Sequence, residues 1–190
     1  MPAFPTPLSI SVLALLNERP MHPYEMYQLL LERHEDRVVK VRPGSLYHVV
    51  ERLEQRGLVE ATGTERAGNR PERTTYAITE TGGSTLVTWI DESLREPVNE
   101  YPIFPLALSE SHNLSASEAI AAIEKRIDLL EEIIAETDDL IEHARDAEVP
   151  EAYWFTADYL RTVQAAERDW LDATVTRMKE GDLTWPRDKG

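Results

Sequence analysis

Apolar side chains at Leu8, Ile10, Val12, Leu13, Leu15 and Leu16 are too dense for a surface helix and predict a largely buried one over Leu8–Glu18, stopped by Pro20. Pro23 can open a second helix without losing a useful N–H, and Tyr24, Tyr27, Leu30 and Leu31 continue it at helical spacing to about His34. A third helix of about 13 residues, beginning at Gly44, carries Leu46, Val49, Val50 and Leu53 on one stripe and ends at Gly57, which suits the left-handed backbone just past a helix. Two β-prone runs, 58–62 and 74–78, flank a segment with two glycines, Asn69, Pro71 and three arginines, which predicts a hairpin with a long basic tip. Residues 79–83 read as a break. Beyond it Leu86, Trp89, Ile90 and Leu94 mark a fourth helix that stops before Pro97.

Pro97, Pro102 and Pro105 punctuate a boundary, giving expected domains at 1–96 and 97–190. The second half reads as helical throughout. Ser115-Ala-Ser-Glu118 has the form of a capping box. Beyond it Ile120, Ile127, Ile134 and Ile141 fall seven apart, with Ile123, Leu130, Thr137 and Ala144 interleaved three later. That is a seam for packing along another helix, either in the same chain or in a second copy. After Pro150 a last helix is predicted over about 151–179, carrying Trp154, Phe155, Tyr159, Leu160, Val163, Ala166, Trp170, Leu171 and Met178. The fold class is therefore mainly α, a winged helix-turn-helix element order followed by a helical domain.

Charge is unevenly spread along the chain. Residues 1–85 hold 10 basic against 11 acidic side chains, and residues 86–190 hold 10 against 24. Within 37–73 the balance is positive, 8 against 5, on a molecule whose formal net charge is −15. The absence of cysteine removes disulfides and thiolate metal sites. No apolar run is long enough to span a bilayer, and the start lacks the pattern of a signal peptide, so a soluble cytoplasmic protein without membrane contact is expected. No H-E-x-x-H, G-x-S-x-G or phosphate-cradling glycine loop is present, and the carboxylate pairs Glu131-Glu132 and Asp138-Asp139 suit solvation better than acid–base work. The chain is not expected to be an enzyme, nor to need a cofactor or metal.

With its apolar stripe on the first two helices, the third helix presents Gly44, His48, Glu51, Arg52 and Gln55 outward, flanked by Ser45, Arg56 and Tyr47. Such a helix fits a major groove about 12 Å wide, and the hairpin arginines Arg66, Arg70 and Arg73 suit phosphate oxygens. Any solvated helix shows a similar polar side, and Glu51 would repel phosphate unless it meets a cytosine amino group or points away. A winged helix used only for protein contact is the competing reading, favoured by the overall acidity.

The segments 20–25 "PMHPYE", 44–60 "GSLYHVVERLEQRGLVE" and 68–82 "GNRPERTTYAITETG" together resemble the PadR family of transcriptional regulators. Ile78 stands here where the family pattern has leucine, and His48 where proline is frequent. The resemblance implies a dimeric DNA-binding regulator, most often a repressor, that binds a double-stranded operator with two-fold symmetry. It makes Tyr47 and Arg73 phosphate contacts and sets Ser45 and His48 near the groove. The full set expected at DNA is Lys40, Arg42, Gly44, Ser45, Tyr47, His48, Arg52, Arg66, Asn69, Arg70 and Arg73. For the homodimer it is Ile120, Ile123, Ile127, Leu130, Ile134 and Ile141, with the seam expected between chains. Family members commonly respond to small aromatic effectors, so Trp89, Trp154, Tyr159 and Trp170 are candidates to line a pocket, although aromatics at helical spacing are more often core or interface.

Overall fold

The computed structural model describes residues 5–65 and 73–186, in two compact units, Met1–Asn99 and Glu100–Gly190. The first contains α1 (Pro7–Glu18), α2 (Pro23–Glu32), α3 (Pro43–Gln55), β1 (Val59–Glu65), β2 (Arg73–Ile78) and α4 (Glu80–Arg95). The second contains α5 (Ile103–Ser109), α6 (Ala116–Asp146) and α7 (Phe155–Glu180). This is a mainly helical protein with one small antiparallel sheet, the winged helix-turn-helix order expected.

Each helix of the first unit begins where its local chemistry stops the chain from doing anything else. The Thr6 hydroxyl accepts the Ser9 N–H ahead of Pro7, and His22 Nδ1 accepts the Tyr24 N–H at 3.1 Å ahead of Pro23. Pro43 opens α3 from an extended Arg42. α1 buries Leu8, Ile10, Val12, Leu13, Leu15 and Leu16. The stripe Leu46, Val49, Val50 and Leu53 is buried as predicted, each side chain contributing about 1.5–3 kcal/mol over exposure. Gly57 takes φ +69 just past α3.

Several local expectations are overturned. In α2 the buried side chains are Pro23, Met26 and Leu30, whereas Tyr24 and Leu31 are exposed, because one turn of phase decides which side meets α1 and α3. Residues 79–83 are no break: Thr79 caps α4 and both glycines sit in its first turn. Gly82 is there for space, since a Cβ on it would stand 2.0 Å from the Leu58 carbonyl oxygen. α4 buries Leu86 and half-buries Trp89, but Ile90 and Leu94 face out with Val87. The hairpin runs further than expected, to Glu65 and from Arg73, with a bulge between Ala61 and Gly63.

In the second unit the proline-rich boundary contains α5. Pro102 caps it and Pro105 falls in its first turn, where a missing N–H costs nothing. The capping box at Ser115 and Glu118 is formed. α6 and α7 lie antiparallel, cross-linked by Glu124–Lys179, Glu131–Arg168 and Asp138–Arg161 ion pairs. The seam is filled within the chain: Ile123, Leu130, Ile134, Thr137 and Ile141 are buried, and Leu171, Thr174, Val175 and Met178 are the buried positions of α7. Ile120 and Ile127 are only partly buried at its edge. The seam expected between chains is thus already occupied, because a helix hairpin brings a partner to it at far higher effective concentration than a second molecule can. Phe155, Tyr159, Val163 and Trp170 are left exposed on α7.

Candidate nucleic-acid interface

The outward side of α3 carries Gly44, Ser45, Tyr47, His48, Glu51 and Gln55, all exposed, with Lys40 and Arg42 exposed just before it. No side chain caps the start of α3, so its first amides point outward as donors at the positive end of the helix dipole. A Cβ on Gly44 would meet nothing within 4 Å, so no packing demand of the chain requires glycine there. The position leaves room for another backbone to come close. His48 is 86% exposed and lies 3.9 Å from Glu51, a distance at which the carboxylate attracts the ring only when it is protonated.

Arg52 departs from expectation. It is half buried, and its guanidinium reaches the Thr6 and Ser9 hydroxyls at the start of α1, each at 3.4 Å. One helical turn past His48 the outward side of α3 has already turned under α1. Arg52 therefore serves the packing of α3 on α1 and leaves the proposed contact set.

The wing is fixed to the same frame. Met21 and Tyr76 exchange both backbone hydrogen bonds at 3.0 Å, an isolated bridge that ties β2 to the residue before His22. The His22 ring in turn stands edge-on to Tyr47 of α3, with centroids 6.3 Å apart and planes at 75°. α2's start, the wing and α3 thus meet at Met21–His22. The segment "PMHPYE" was visible in the sequence, but nothing in it said that His22 would face Tyr47. Arg73 opens β2 in register with Glu65; its side chain, and all of Arg66, Asn69 and Arg70, lie outside the described residues.

The aromatic candidates divide between the two units. Trp89 borders a shallow groove of about 300 Å³ with Pro5, Thr81, Ser84, Thr85, Thr88 and Glu92 in the first unit. In the second unit Trp154 donates its indole N–H to the Val149 carbonyl and lies under the Arg145 guanidinium, while Tyr159 and Trp170 are exposed on α7. Among the described residues there is no cluster of metal-binding side chains, and no helix is long and apolar enough to cross a membrane.

Residues 12–87 match the transcriptional regulator PadR-like family. The match falls within the first unit. Similar folds, at identities that speak for architecture alone, extend over nearly the whole chain. Bacillus subtilis PadR in complex with operator DNA matches with a TM-score of 0.76 at 16% identity, covering 92% of this chain and 99% of that one. The same protein in complex with p-coumaric acid gives 0.69 at 17%, covering 90% and 98%. The Vibrio cholerae virulence activator AphA gives 0.67 at 17%, covering 91% and 98%. No curated protein sequence matches. The PadR-like match holds the whole of α2, α3 and the strands, and with them every described residue of the candidate interface.

Proposed function

We propose that this PadR-like protein is a dimeric repressor that binds operator DNA through α3 and the wing and is released by a small aromatic molecule. The observation that carries the DNA reading is the joint just described: an uncapped helix start with an open Gly44, held in one frame with a hairpin whose tip is rich in arginine. Ser45 and His48 would meet base edges, with Lys40, Arg42, Tyr47 and the wing residues Arg66, Asn69, Arg70 and Arg73 at phosphates.

The dimer is reassigned from the filled seam to the stripe on α7. Phe155, Tyr159, Val163 and Trp170 recur every four or seven residues and are 58%, 63%, 47% and 54% exposed. A row of that kind is a surface for another helix. A second copy satisfies it and supplies the second reading head that a single weakly basic domain needs. The effector reading draws on the exposed aromatics of that stripe and on the complex of Bacillus subtilis PadR with p-coumaric acid.

Binding to duplex DNA measured against salt tests the reading. A dimer making several phosphate contacts loses affinity by orders of magnitude between roughly 50 and 200 mM salt. A flat response favours a protein partner in place of DNA. Light scattering on the same preparation should give twice the mass of the chain.

A further inference from the structure

We infer that His22 is a positioning residue of the contact surface, holding the Tyr47 ring in the orientation from which its hydroxyl reaches a phosphate. This rests on the DNA reading above and adds to it a residue that the third helix itself does not contain.

Tyr47 is 47% exposed on the outward flank of α3, where a tyrosine has rotamers to choose from and loses affinity by having to choose. The residue that limits the choice comes from another element. His22 is half buried, its backbone sits next to the Met21–Tyr76 bridge, and its Nδ1 accepts the Tyr24 N–H. The cap does more than begin α2. It fixes the imidazole plane, and the fixed plane meets the Tyr47 ring edge-on at 6.3 Å, a geometry in which aromatic rings attract. An acceptor at Nδ1 also places the proton of the neutral ring on Nε2. The same residue therefore sits where the start of α2, the root of the wing and the flank of α3 meet.

The two duties of His22 can be separated, because asparagine is as good a helix N-cap and has no ring. His22→Asn should retain the melting temperature within a few degrees and lower affinity for a random-sequence duplex by about three- to tenfold at constant salt, the scale of one ordinary hydrogen bond's net contribution. Tyr47→Phe should cost about the same. The double variant should lose little more than either single one, since both remove one contact. Wild-type affinity for His22→Asn, or losses that simply add, would overturn the inference while leaving DNA binding intact. Should His22→Asn fail to fold, nuclear Overhauser contacts between the His22 and Tyr47 rings in the unmodified chain decide: their presence supports the inference and their absence overturns it. If the unmodified chain does not bind the duplex at any salt, the DNA reading itself fails and the inference goes with it.

Discussion

The two units spend their apolar side chains differently. The first gathers α1, the stripe of α3, Met21, Met26, Leu30, Leu58, Val59 and Leu86 into one core, and the outward side of α3 is left polar apart from the Tyr47 ring. The second buries one side of α6 against α7 and leaves a row of four large apolar residues exposed along α7, with Leu129 and Ile133 exposed on α6. A monomeric protein rarely tolerates such a row. Outside α4, whose Val87, Ile90 and Leu94 also face out, the first unit is a folded body whose polar side is the thing to explain, and the second one whose apolar side is.

The contrast between buried and exposed apolar residues can be broken most forcefully at α6. Ile134→Asp places a charge in the filled seam and should cost about 4 kcal/mol or more, enough to lose the α6–α7 helicity seen by circular dichroism. Trp170→Glu should leave helicity intact and convert the proposed dimer to a monomer by light scattering. If both variants unfold, or neither changes mass, the division between seam and stripe is wrong.

The next effect belongs to the first unit. Gly82→Ala should lower its stability by about 3 kcal/mol in thermal melts, because the added methyl meets the Leu58 carbonyl backbone and cannot push it aside. A smaller effect separates the two kinds of DNA contact. Arg73→Ala should weaken binding to all sequences alike. Ser45→Ala or His48→Ala should change preference among sequences, by about 1–3 kcal/mol at a single base pair, read by selection from a random duplex library.

The smallest is a pH effect. Arg33 grips Glu18 through two hydrogen bonds of 2.6 and 2.9 Å, which lowers the Glu18 pKa below its usual 4.5. A depressed carboxylate stabilises the fold above its unfolded pKa and loses that contribution as pH falls through the folded value. Both side chains are more than two-fifths exposed, so the effect is screened and small. Glu18→Gln should flatten the acid side of the melting-temperature profile below about pH 4.5 and change nothing near neutrality.

What could be read from the chain beforehand follows one physical divide. The α3 stripe, the glycine after it, the capping box at Ser115 and the α6 heptads are local: period and capping chemistry act over one or two turns, and one sequence contains all of it. Arg52 looked like an outward cation because helical phase alone cannot say that the start of α1 lies over that turn. Gly82-Gly83 looked like a break because glycine weakens helices in general, whereas here a distant carbonyl forbids a side chain.

By itself the sequence determined that a winged-helix order with a positive stretch at 37–73 precedes an acidic helical half, since charge segregation and hydrophobic period need no partner to be seen. Only the tertiary structure decided which partner each surface meets: α7 in the seam, α1 over Arg52, Tyr47 against His22. The reason is that a periodic stripe specifies that a face will be buried, while what buries it depends on which elements the connections bring alongside.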